Sequence, residues 1–487
     1  MMTVYQVAWA QSLQVYFGNL HSHTSYSDGS GTPEMAYTHA RDIAGLDFLA
    51  ITEHNHPRAP SRIATNHQLY SGSFPDSLIS TAERFTQDGR FVAIYGQEFS
   101  SISSGNHANV FEVGAVIDTS DVPNGEWDDL LNTWLPSHLD SQGQPALILL
   151  NHPAQSSSPN DKEYGIDDFG SFTTWRTKLD AHAQLINIIN GPSHDRPHPG
   201  QPSESEFLRY LNLGLHVAPT ADQDNHRTNW GSAADTRTGV VTTSLTKSNI
   251  LKALRARHVY ATEDRNLQII AKVNGELVGT RFQGNQVPNP GSELSIEIDL
   301  NDDDEPFALY TIDVYADHLG GPEEADVVAQ FEASGNGTVT LDGISYDGGN
   351  QYFFFKITET DDDGVEVDRA WLAPVWFESD DTTGSVSGPA LTLKVNLVTE
   401  EATITNVGGS EVNLRGWTLI SVQGNQRFTF TRDVQLQPGQ SVVVTSGPNA
   451  KDQLPDYVKW KMTHIWRNSG DPGQLLDPDE RIRAETQ

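Results

Sequence analysis

Histidine is concentrated in the first half of the chain, where 14 of the 17 histidines precede residue 230. Acidic residues stand close to several of them, giving His21-Ser22-His23 with Asp28, Glu53-His54, and Asp224-Asn225-His226. Imidazole suits Zn, Mn and Fe, and a carboxylate can bridge two such ions. Side chains on an extended segment repeat every two residues, so both rings of the His-x-His motif point to the same side. These residue types and spacings predict a centre for divalent metal ions.

Short apolar runs cover residues 48–52, 91–95, 146–150, 185–189 and 216–219, and four of them lead into groups of polar residues, whereas His21-Ser22-His23 and Asp28 stand before the first helix. Continuous apolar runs are typical of parallel strands buried on both faces. Between the runs lie helix signals, such as Thr32-Pro33-Glu34 before a helix that should stop at Gly45. Alternating strands and helices indicate βα units, closed into a barrel or left open. Ligands gather at the carboxyl ends of such strands, so the polar residues are expected at one rim.

Composition excludes several classes of protein. The chain has 487 residues and no cysteine, so it has no disulfide, thiolate zinc site, iron–sulfur cluster or cysteine nucleophile. A net charge of −34 makes nucleic acid an unfavourable partner, although a metal site can reverse the field locally. No run approaches the roughly 20 apolar residues of a membrane span, so no transmembrane segment is expected. Ala8-Trp9-Ala10 has the form of a cleavage site, so residues 1–14 are interpreted as a signal-peptide remnant of an exported (periplasmic, extracellular or cell-surface) protein.

The pattern changes after residue 265, where period-two alternation in residues 294–300 and the Asn274-Gly275 turn signal predict a β-sandwich over residues 266–379. Its acidic turns at residues 302–305 and 361–363 allow two interpretations, a calcium site or a solvated loop, and the sequence favours the loop. Residues 380–388 form a polar linker, and residues 389–487 a second all-β domain.

The motifs of the first half resemble those of the polymerase and histidinol phosphatase (PHP) domain. They are His21-Ser22-His23 with Asp28, Ile51-Thr52-Glu53-His54-Asn55, Gly96-Gln97-Glu98, Asn106-His107, Asn151-His152-Pro153 and Asp224-Asn225-His226. The resemblance covers residues 15–265 and is nearest to the branch that includes carbaryl hydrolase. It implies a distorted seven-stranded (β/α) barrel. One residue differs from the family pattern, because Glu53 stands where the family usually has Asp before the histidine of the second motif. Asp222 is a second acid close to the last motif.

The resemblance also implies a set of ligands for two or three divalent ions (Zn, Mn or Fe). His21, His23, Glu98 and Asp224 would hold the first ion; Glu98, His107 and His152 the second; and Asp28, His54 and His226 the third. A hydroxide bridging two ions would be the nucleophile, and Glu98, Asp224, His226 and Arg227 would be catalytic. His56, Arg58 and Arg227 would contact the substrate, since a guanidinium can clamp a phosphate or carboxylate.

The last domain resembles a lamin-tail domain, which implies an immunoglobulin-like sandwich. The matching stretches are Ile404-Thr405-Asn406-Val407-Gly408, Leu414-Arg415-Gly416-Trp417, Leu436-Gln437-Pro438-Gly439 and Ile465-Trp466. Trp417 and Trp466 are expected in its core, and contact with a surface or another protein is the role that the resemblance suggests.

Three functions fit the sequence. The leading hypothesis is a metal-dependent phosphoesterase acting on a small-molecule phosphate ester, supported by Arg58 and Arg227 beside the ligand motifs. The second is hydrolysis of a carboxyl or carbamate ester by the same centre, which a pocket without cationic side chains would favour. The third is a non-catalytic exported binding module, against which the complete ligand set argues.

Overall fold

The structure is a computed structural model. It describes residues 12–55, 67–71, 76–100, 106–123, 125–153, 163–165, 172–191, 203–318, 325–360, 366–378, 391–407, 411–424, 426–468, 470–477 and 482–486. Among these, residues 12–317 and 326–378 form one compact unit, and residues 391–486 form a second. The signal-peptide interpretation of the first residues, His56, Arg58, the acidic run 361–363 and the linker 380–388 lie wholly or largely outside the described residues.

The described part of the first unit contains six α-helices: α1 Pro33–Asp42, α2 Leu78–Phe85, α3 Trp127–Asp129, α4 Phe172–Asp180, α5 Glu204–Asn212 and α6 Lys247–Arg255. Helical turns of other types cover His67–Tyr70, Leu130–Trp134, Leu135–Ser137, Glu163–Gly165 and Gly284–Gln286. The predicted start of α1 is confirmed, because the Thr32 side chain accepts from the Met35 amide and Pro33 occupies the first turn. None of the described helices is long and apolar enough to cross a membrane.

Among the described residues, the region of the predicted ligands has nine strands: β1 Gln14–Asn19, β2 Phe48–His54, β3 Val92–Phe99, β4 Ala108–Phe111, β5 Leu147–Leu150, β6 Ala183–Asn190, β7 Ala218–Asp222, β8 Arg237–Thr242 and β9 Val259–Thr262. Parallel pairing joins β1 to β2, β2 to β3, β5 to β6 and β6 to β7. The five apolar runs are therefore strands, four of them buried on nearly every residue, as expected for parallel strands with both faces covered.

Two features depart from a uniformly parallel arrangement. Strand β4 is not among the predicted strands, and it runs antiparallel to both β3 and β5. A single parallel bridge between Ser22 and Asn225 connects the chain after β1 to the chain after β7. The chain that follows β7 thus lies beside the chain that follows β1, at the first ligand motif. Closure of the strands into a distorted barrel stays a prediction.

The remaining strands of this unit are β10 Gln268–Val273, β11 Glu276–Leu277, β12 Arg281–Gln283, β13 Ser292–Glu293, β14 Ile296–Asn301, β15 Leu309–His318, β16 Asp326–Ser334, β17 Gly337–Leu341, β18 Ser345–Tyr346, β19 Gln351–Thr360, β20 Glu366–Leu372 and β21 Val375–Glu378. Strand β9 pairs with β8 on one side and with β20 on the other, so one mixed sheet of 15 strands runs from β12 to β7. A continuous apolar core extends from Phe48 and Ile94 to Ile296 and Phe355. The regions before and after residue 265 therefore share a sheet and a core.

The second unit contains β22 Leu391–Asn396, β23 Glu401–Asn406, β24 Val412–Asn413, β25 Thr418–Ser421, β26 Gln426–Thr429, β27 Gln435–Leu436, β28 Ser441–Thr445, β29 Tyr457–Lys459, β30 Gly473–Leu476 and β31 Ile482–Glu485. Two four-stranded sheets, β22-β23-β28-β29 and β26-β25-β30-β31, share one apolar core, as expected of an immunoglobulin-like sandwich. Trp417 and Trp466 are buried in that core, which confirms their predicted structural role.

Candidate metal centre

The Glu98 carboxylate lies at the centre of the predicted ligand set. Strand β3 is buried throughout and delivers this side chain, which is only 1% exposed, close to its carboxyl end. Five imidazoles surround the two carboxylate oxygens, at 2.7 Å (His54 Nδ1), 3.0 Å (His107 Nδ1), 3.3 Å (His152 Nε2), 3.4 Å (His21 Nε2) and 3.5 Å (His23 Nε2). These rings come from four different segments, because His21 and His23 belong to one motif, and the fold brings together residues that are up to 131 positions apart in the chain (21 to 152).

Asp224 forms the second anionic point of the centre. Its Oδ1 lies 3.3 Å from His21 Nε2 and 3.2 Å from His23 Nε2. Its backbone has a φ of 45°, in the left-handed region, and so does that of His152, with a φ of 32°. Non-glycine residues seldom adopt this conformation, and such outliers cluster at functional sites. Both outliers here belong to the ligand set.

Asp28 closes the set on its accessible side. Its Oδ1 lies 3.2 Å from His226 Nε2 and 3.5 Å from His54 Nε2, and its side chain is 26% exposed. The side chains of His21 and His23 are completely buried. The centre is therefore closed towards the sheet and open towards Asp28, and all nine predicted ligand residues lie in this one cluster.

The chemistry of the donor set fits divalent cations. Glu98 Oε1 has four nitrogen neighbours within 3.4 Å: Asn151 Nδ2, His107 Nδ1, His152 Nε2 and His21 Nε2. A carboxylate oxygen has two lone pairs, so hydrogen bonding alone cannot account for four nitrogens. Ions held at about 2.0–2.2 Å bring neighbouring ligand atoms to about 2.8–3.6 Å of each other. The 3.2 Å between His21 Nε2 and His23 Nε2, and the distances given above, lie almost entirely in this range.

Three overlapping groups of side chains could each hold one ion, because their ligand atoms lie within 4.8 Å of one another. They are His23, Asp28, His54 and His226; His21, His23 and Glu98; and His54, Glu98 and His107. Glu98, His23 and His54 each belong to two groups. Shared ligands are a feature of sites in which metal ions lie close together.

The electrostatics of the cluster follow from burial and close pairing. Burial raises the pKa of the Glu98 carboxyl, but the lowering effect of the His54, His21 and His107 imidazoles is larger, so the pKa lies well below its usual range. Burial and the neighbouring His226 and His54 lower the pKa of His23 to about 3. Burial lowers the pKa of His54, but Glu98 raises it more, to about 9. Ions that bind here must displace the proton of His54, so metal affinity should fall in acid.

Several polar side chains outside the predicted set orient the ligands. Asn151 Nδ2 donates to Glu98 Oε1 at 2.9 Å, and Asn190 Nδ2 donates to Asp224 Oδ2 at 3.1 Å. Ser100 Oγ lies 2.6 Å from His54 Nδ1, and Ser27 Oγ lies 3.2 Å from His23 Nδ1. Sequence reasoning missed Asn190, Ser100 and Ser27. Asn190 is the last residue of β6, so its position at a strand end could have marked it as part of the site. Asparagine and serine are too common in loops for their residue type to do so.

Glu53, which departs from the family pattern, anchors a loop. Its buried carboxylate accepts from the Thr24 amide at 3.0 Å, from Thr24 Oγ1 and from Ser27 Oγ. Burial raises the pKa of this carboxyl to about 7, against the lowering effect of the Ser27 and Thr24 hydroxyls. Glu53 thus fastens the segment that leads from His23 to Asp28.

The structure separates the two acids of the last motif. Asp222 Oδ1 accepts from the Leu20 amide at 2.5 Å, and Asp222 Oδ2 accepts from Asn187 Nδ2 at 3.0 Å, so this carboxylate fixes β1 against β7. Asp224 is the acid that faces the imidazoles. Arg227 is exposed beside His226, and its backbone amide donates to Asn225 Oδ1.

Comparison with known proteins identifies one part of the chain. Residues 389–487 match the model of the Lamin Tail Domain family, so the predicted lamin-tail resemblance is confirmed. No curated protein sequence matches the chain.

The solved structures that are similar to this chain are distant. One is a two-domain protein containing a predicted PHP-like metal-dependent phosphoesterase from Bacteroides vulgatus ATCC 8482, which is 17% identical and has a TM-score of 0.37 over 74% of this chain and 97% of that one. The YadV chaperone is 8% identical, with a TM-score of 0.16 over 45% of this chain and 97% of its own. BcpA, the major pilin subunit of Bacillus cereus, is 12% identical, with a TM-score of 0.16 over 45% and 59%. The function must therefore be argued from the site itself.

Proposed function

We propose that the protein is a metal-dependent hydrolase of phosphate esters. The observation that carries this proposal is the buried Glu98 carboxylate among five imidazoles, with Asp224 and Asp28 close to three of the same rings. His21, His23, Glu98 and Asp224 would hold one ion, and Glu98, His107 and His152 a second. Asp28, His54 and His226 would hold a third.

Divalent ions at such a centre supply hydroxide at neutral pH, by lowering the pKa of water, and neutralise charge that develops on the ester. The chain's own residues prepare the site for that chemistry. Asn151 holds Glu98 in place by a hydrogen bond, and the imidazoles keep that carboxyl ionised. No side chain of the protein needs to act as nucleophile.

The open side of the centre is where the substrate would approach. Asp28 is the most accessible acid of the cluster, and the His54 and His226 side chains are 15% and 12% exposed. Arg227 is exposed next to His226 in the chain, and a guanidinium is suited to contact a phosphate that enters from this side. The proposal that Arg227 contacts substrate, together with His56 and Arg58, rests on this placement in the sequence.

The experiment is an assay of the purified protein with aryl phosphate monoesters, diesters and triesters, and with aryl carboxyl esters and carbamates. We expect phosphate-ester turnover that a chelator abolishes and that added Mn, Zn or Fe restores. Full activity after complete metal removal would contradict the mechanism. Turnover of carboxyl or carbamate esters without phosphate esters would reassign the substrate, and bound metal without turnover of either class would favour the non-catalytic module.

The Glu98→Gln variant tests whether this carboxylate organises the centre. The substitution keeps the size of the side chain but removes the charge that the five imidazoles surround, so bound metal should fall together with kcat/KM, the latter by about 1,000-fold or more. Elemental analysis and the phosphate-ester assay would measure both. His138→Gln is the control, a substitution by glutamine at a histidine outside the cluster. Among the described hydrogen bonds, His138 Nδ1 contacts only the local Trp134 carbonyl oxygen, at 2.7 Å. Unchanged metal content in Glu98→Gln would contradict the proposed bridging role.

A further inference from the structure

Three carboxylates form a second cluster, in the region after residue 259. Asp264 lies in the turn that follows β9, and Asp302 and Glu305 lie in the turn between β14 and β15. One carboxylate oxygen from each lies within 4.8 Å of the others. The cluster contains only oxygen donors, unlike the histidine-rich centre.

Asp302 is the residue of this cluster whose buried carboxylate is only partly hydrogen-bonded. It is completely buried (0% exposed), so the interpretation of this turn as a solvated loop is wrong at Asp302. Its Oδ1 accepts from the amides of Asp304 and Glu305 at 2.9 and 3.0 Å, and from Asn266 Nδ2 at 3.0 Å. Its Oδ2 is buried and has no hydrogen-bond partner. A buried carboxylate oxygen without a partner is costly, and a bound cation would remove that cost.

The surroundings of the cluster add negative charge. Burial, followed by Asp302 and Asp264, raises the pKa of the Glu359 carboxyl to about 8. Arg265 pairs with Asp304 at 2.8 Å and Arg369 with Glu263 at 2.6 Å, while the buried Arg237 donates to the backbone carbonyls of Ala234 and Thr236. The Tyr310 hydroxyl, also buried and without a partner, lies within the electrostatic reach of Asp302 and Asp264. The region therefore has an excess of buried carboxylate over cation.

We infer that Asp264, Asp302 and Glu305 bind one calcium ion. Calcium takes six to eight oxygen ligands in a flexible geometry, which carboxylates on two separate turns, backbone carbonyls and water can supply. Zinc, manganese and iron prefer sites that include imidazole, as in the centre around Glu98. Magnesium requires a near-ideal octahedron and retains its water, so it should bind more weakly here.

The ion would connect two parts of the first unit. Asp264 follows β9, the strand at which the ligand-bearing sheet continues into β20, and Asp302 follows β14 of the separate sheet β11-β10-β14-β17. Calcium would thus fasten the turn after β9 to the turn after β14.

The test is calorimetric titration of Ca²⁺ into the full-length protein, already loaded with Mn²⁺ at the histidine-rich centre. We expect one Ca²⁺ per chain with a Kd between about 1 μM and 1 mM, weaker binding of Mg²⁺, and a rise of a few degrees in Tm. Glu98→Gln, titrated without added Mn²⁺, should retain the Ca²⁺ signal, because Glu98 belongs to the other centre. Absence of Ca²⁺ binding up to about 10 mM would overturn the inference.

Variants assign the site. Asp302→Asn keeps the oxygen that holds the turn but removes the charge, and the exposed Glu305→Gln leaves the turn intact even if Asp302→Asn fails to fold. Each should weaken Ca²⁺ binding by about tenfold or more. The matched control is Asp303→Asn, an equal loss of charge in the same turn at a residue outside the three-carboxylate cluster. If Asp303→Asn weakened binding as much as Glu305→Gln, the effect would be general electrostatics and the site would be refuted.

Discussion

At the scale of the residue, the side chains of the candidate metal centre depend on neighbours that hold them in place. Asn190 donates from the end of β6 to the oxygen of Asp224 that does not face His21 and His23. Asn151 plays the same part for Glu98. Such hydrogen bonds fix the orientation of a ligand and contribute to metal affinity without touching the ion.

We expect Asn190→Ala to lower metal affinity by about 10–100-fold, because Asp224 loses the donor that orients it. Activity should be low at limiting Mn²⁺ and should recover when Mn²⁺ is in excess, since the ligands themselves remain. A Mn²⁺ titration followed by the phosphate-ester assay would measure the shift. Asn132→Ala, which removes an exposed asparagine bonded to Asp128, is the control. Loss of activity that excess metal does not restore would assign Asn190 a different role.

The sequence predicted the nine clustered histidines and acids better than the polar residues that support them. His21, Glu98 and Asp224 belong to motifs in which uncommon residue types recur at strand ends, whereas Ser27, Ser100 and Asn190 have no distinctive neighbours. The choice between Asp222 and Asp224 also required the structure, because both follow the same strand and only the backbone conformation decides which carboxylate faces the imidazoles.

At the scale of the element, β3 positions Glu98 by packing closely between β2 and β4. A Cβ atom on Gly96, two residues before Glu98, would lie 2.8 Å from the Val110 carbonyl oxygen and 3.2 Å from Thr52 Cγ2. The first of these contacts is with backbone, so the strand itself would have to move. Glycine at this position therefore sets how closely β3 and β4 approach.

We expect Gly96→Ala to destabilise the protein by about 1–3 kcal/mol, as overpacking of a buried site does, and to reduce bound metal by displacing Glu98. Thermal unfolding and elemental analysis of the same sample would measure both effects. Gly114→Ala is the matched control, since a Cβ there meets only Ile79 Cδ1, at an ordinary 3.7 Å. Equal Tm values and metal contents for the two variants would contradict this account.

The strands were predictable to different degrees. The apolar runs of β2, β3, β5, β6 and β7 are long and continuous, and each lies within a few residues of the observed strand. Strand β4 has only four residues, and its antiparallel pairing depends on β3 and β5 rather than on any period of its own. Short strands of this kind are defined by their partners, which a single sequence does not display.

At the scale of the whole molecule, the sequence boundary at residue 265 falls inside a shared sheet. Tyr260, Ala261 and Thr262 of β9 pair with Leu372, Trp371 and Ala370 of β20. The Trp371 indole and the Lys356 ammonium both contact the Glu204 carboxylate at the start of α5. Residues beyond 265 thus complete both the sheet and the environment of a helix in the ligand-bearing region.

We expect a chain that ends after residue 265 to be insoluble or to unfold without cooperativity, because β9 would present an unpaired edge and part of the common core would meet water. A chain that ends after residue 378 should melt cooperatively and retain metal. Solubility, circular dichroism melting and elemental analysis of the two chains would make the comparison. A cooperative transition of the shorter chain within a few degrees of the longer one would show that residues 15–265 are an independent domain.

The double pairing of β9 constrains how this architecture could evolve. Recombination that replaced the region after residue 265 would have to deliver a strand in register with β9, and otherwise the hybrid would expose backbone hydrogen-bonding groups. The described strands of the lamin tail domain form sheets of their own, so its gene segment could be gained or lost as a cassette. Among relatives, loss of the C-terminal module should therefore be more frequent than exchange of the segment that contains β20.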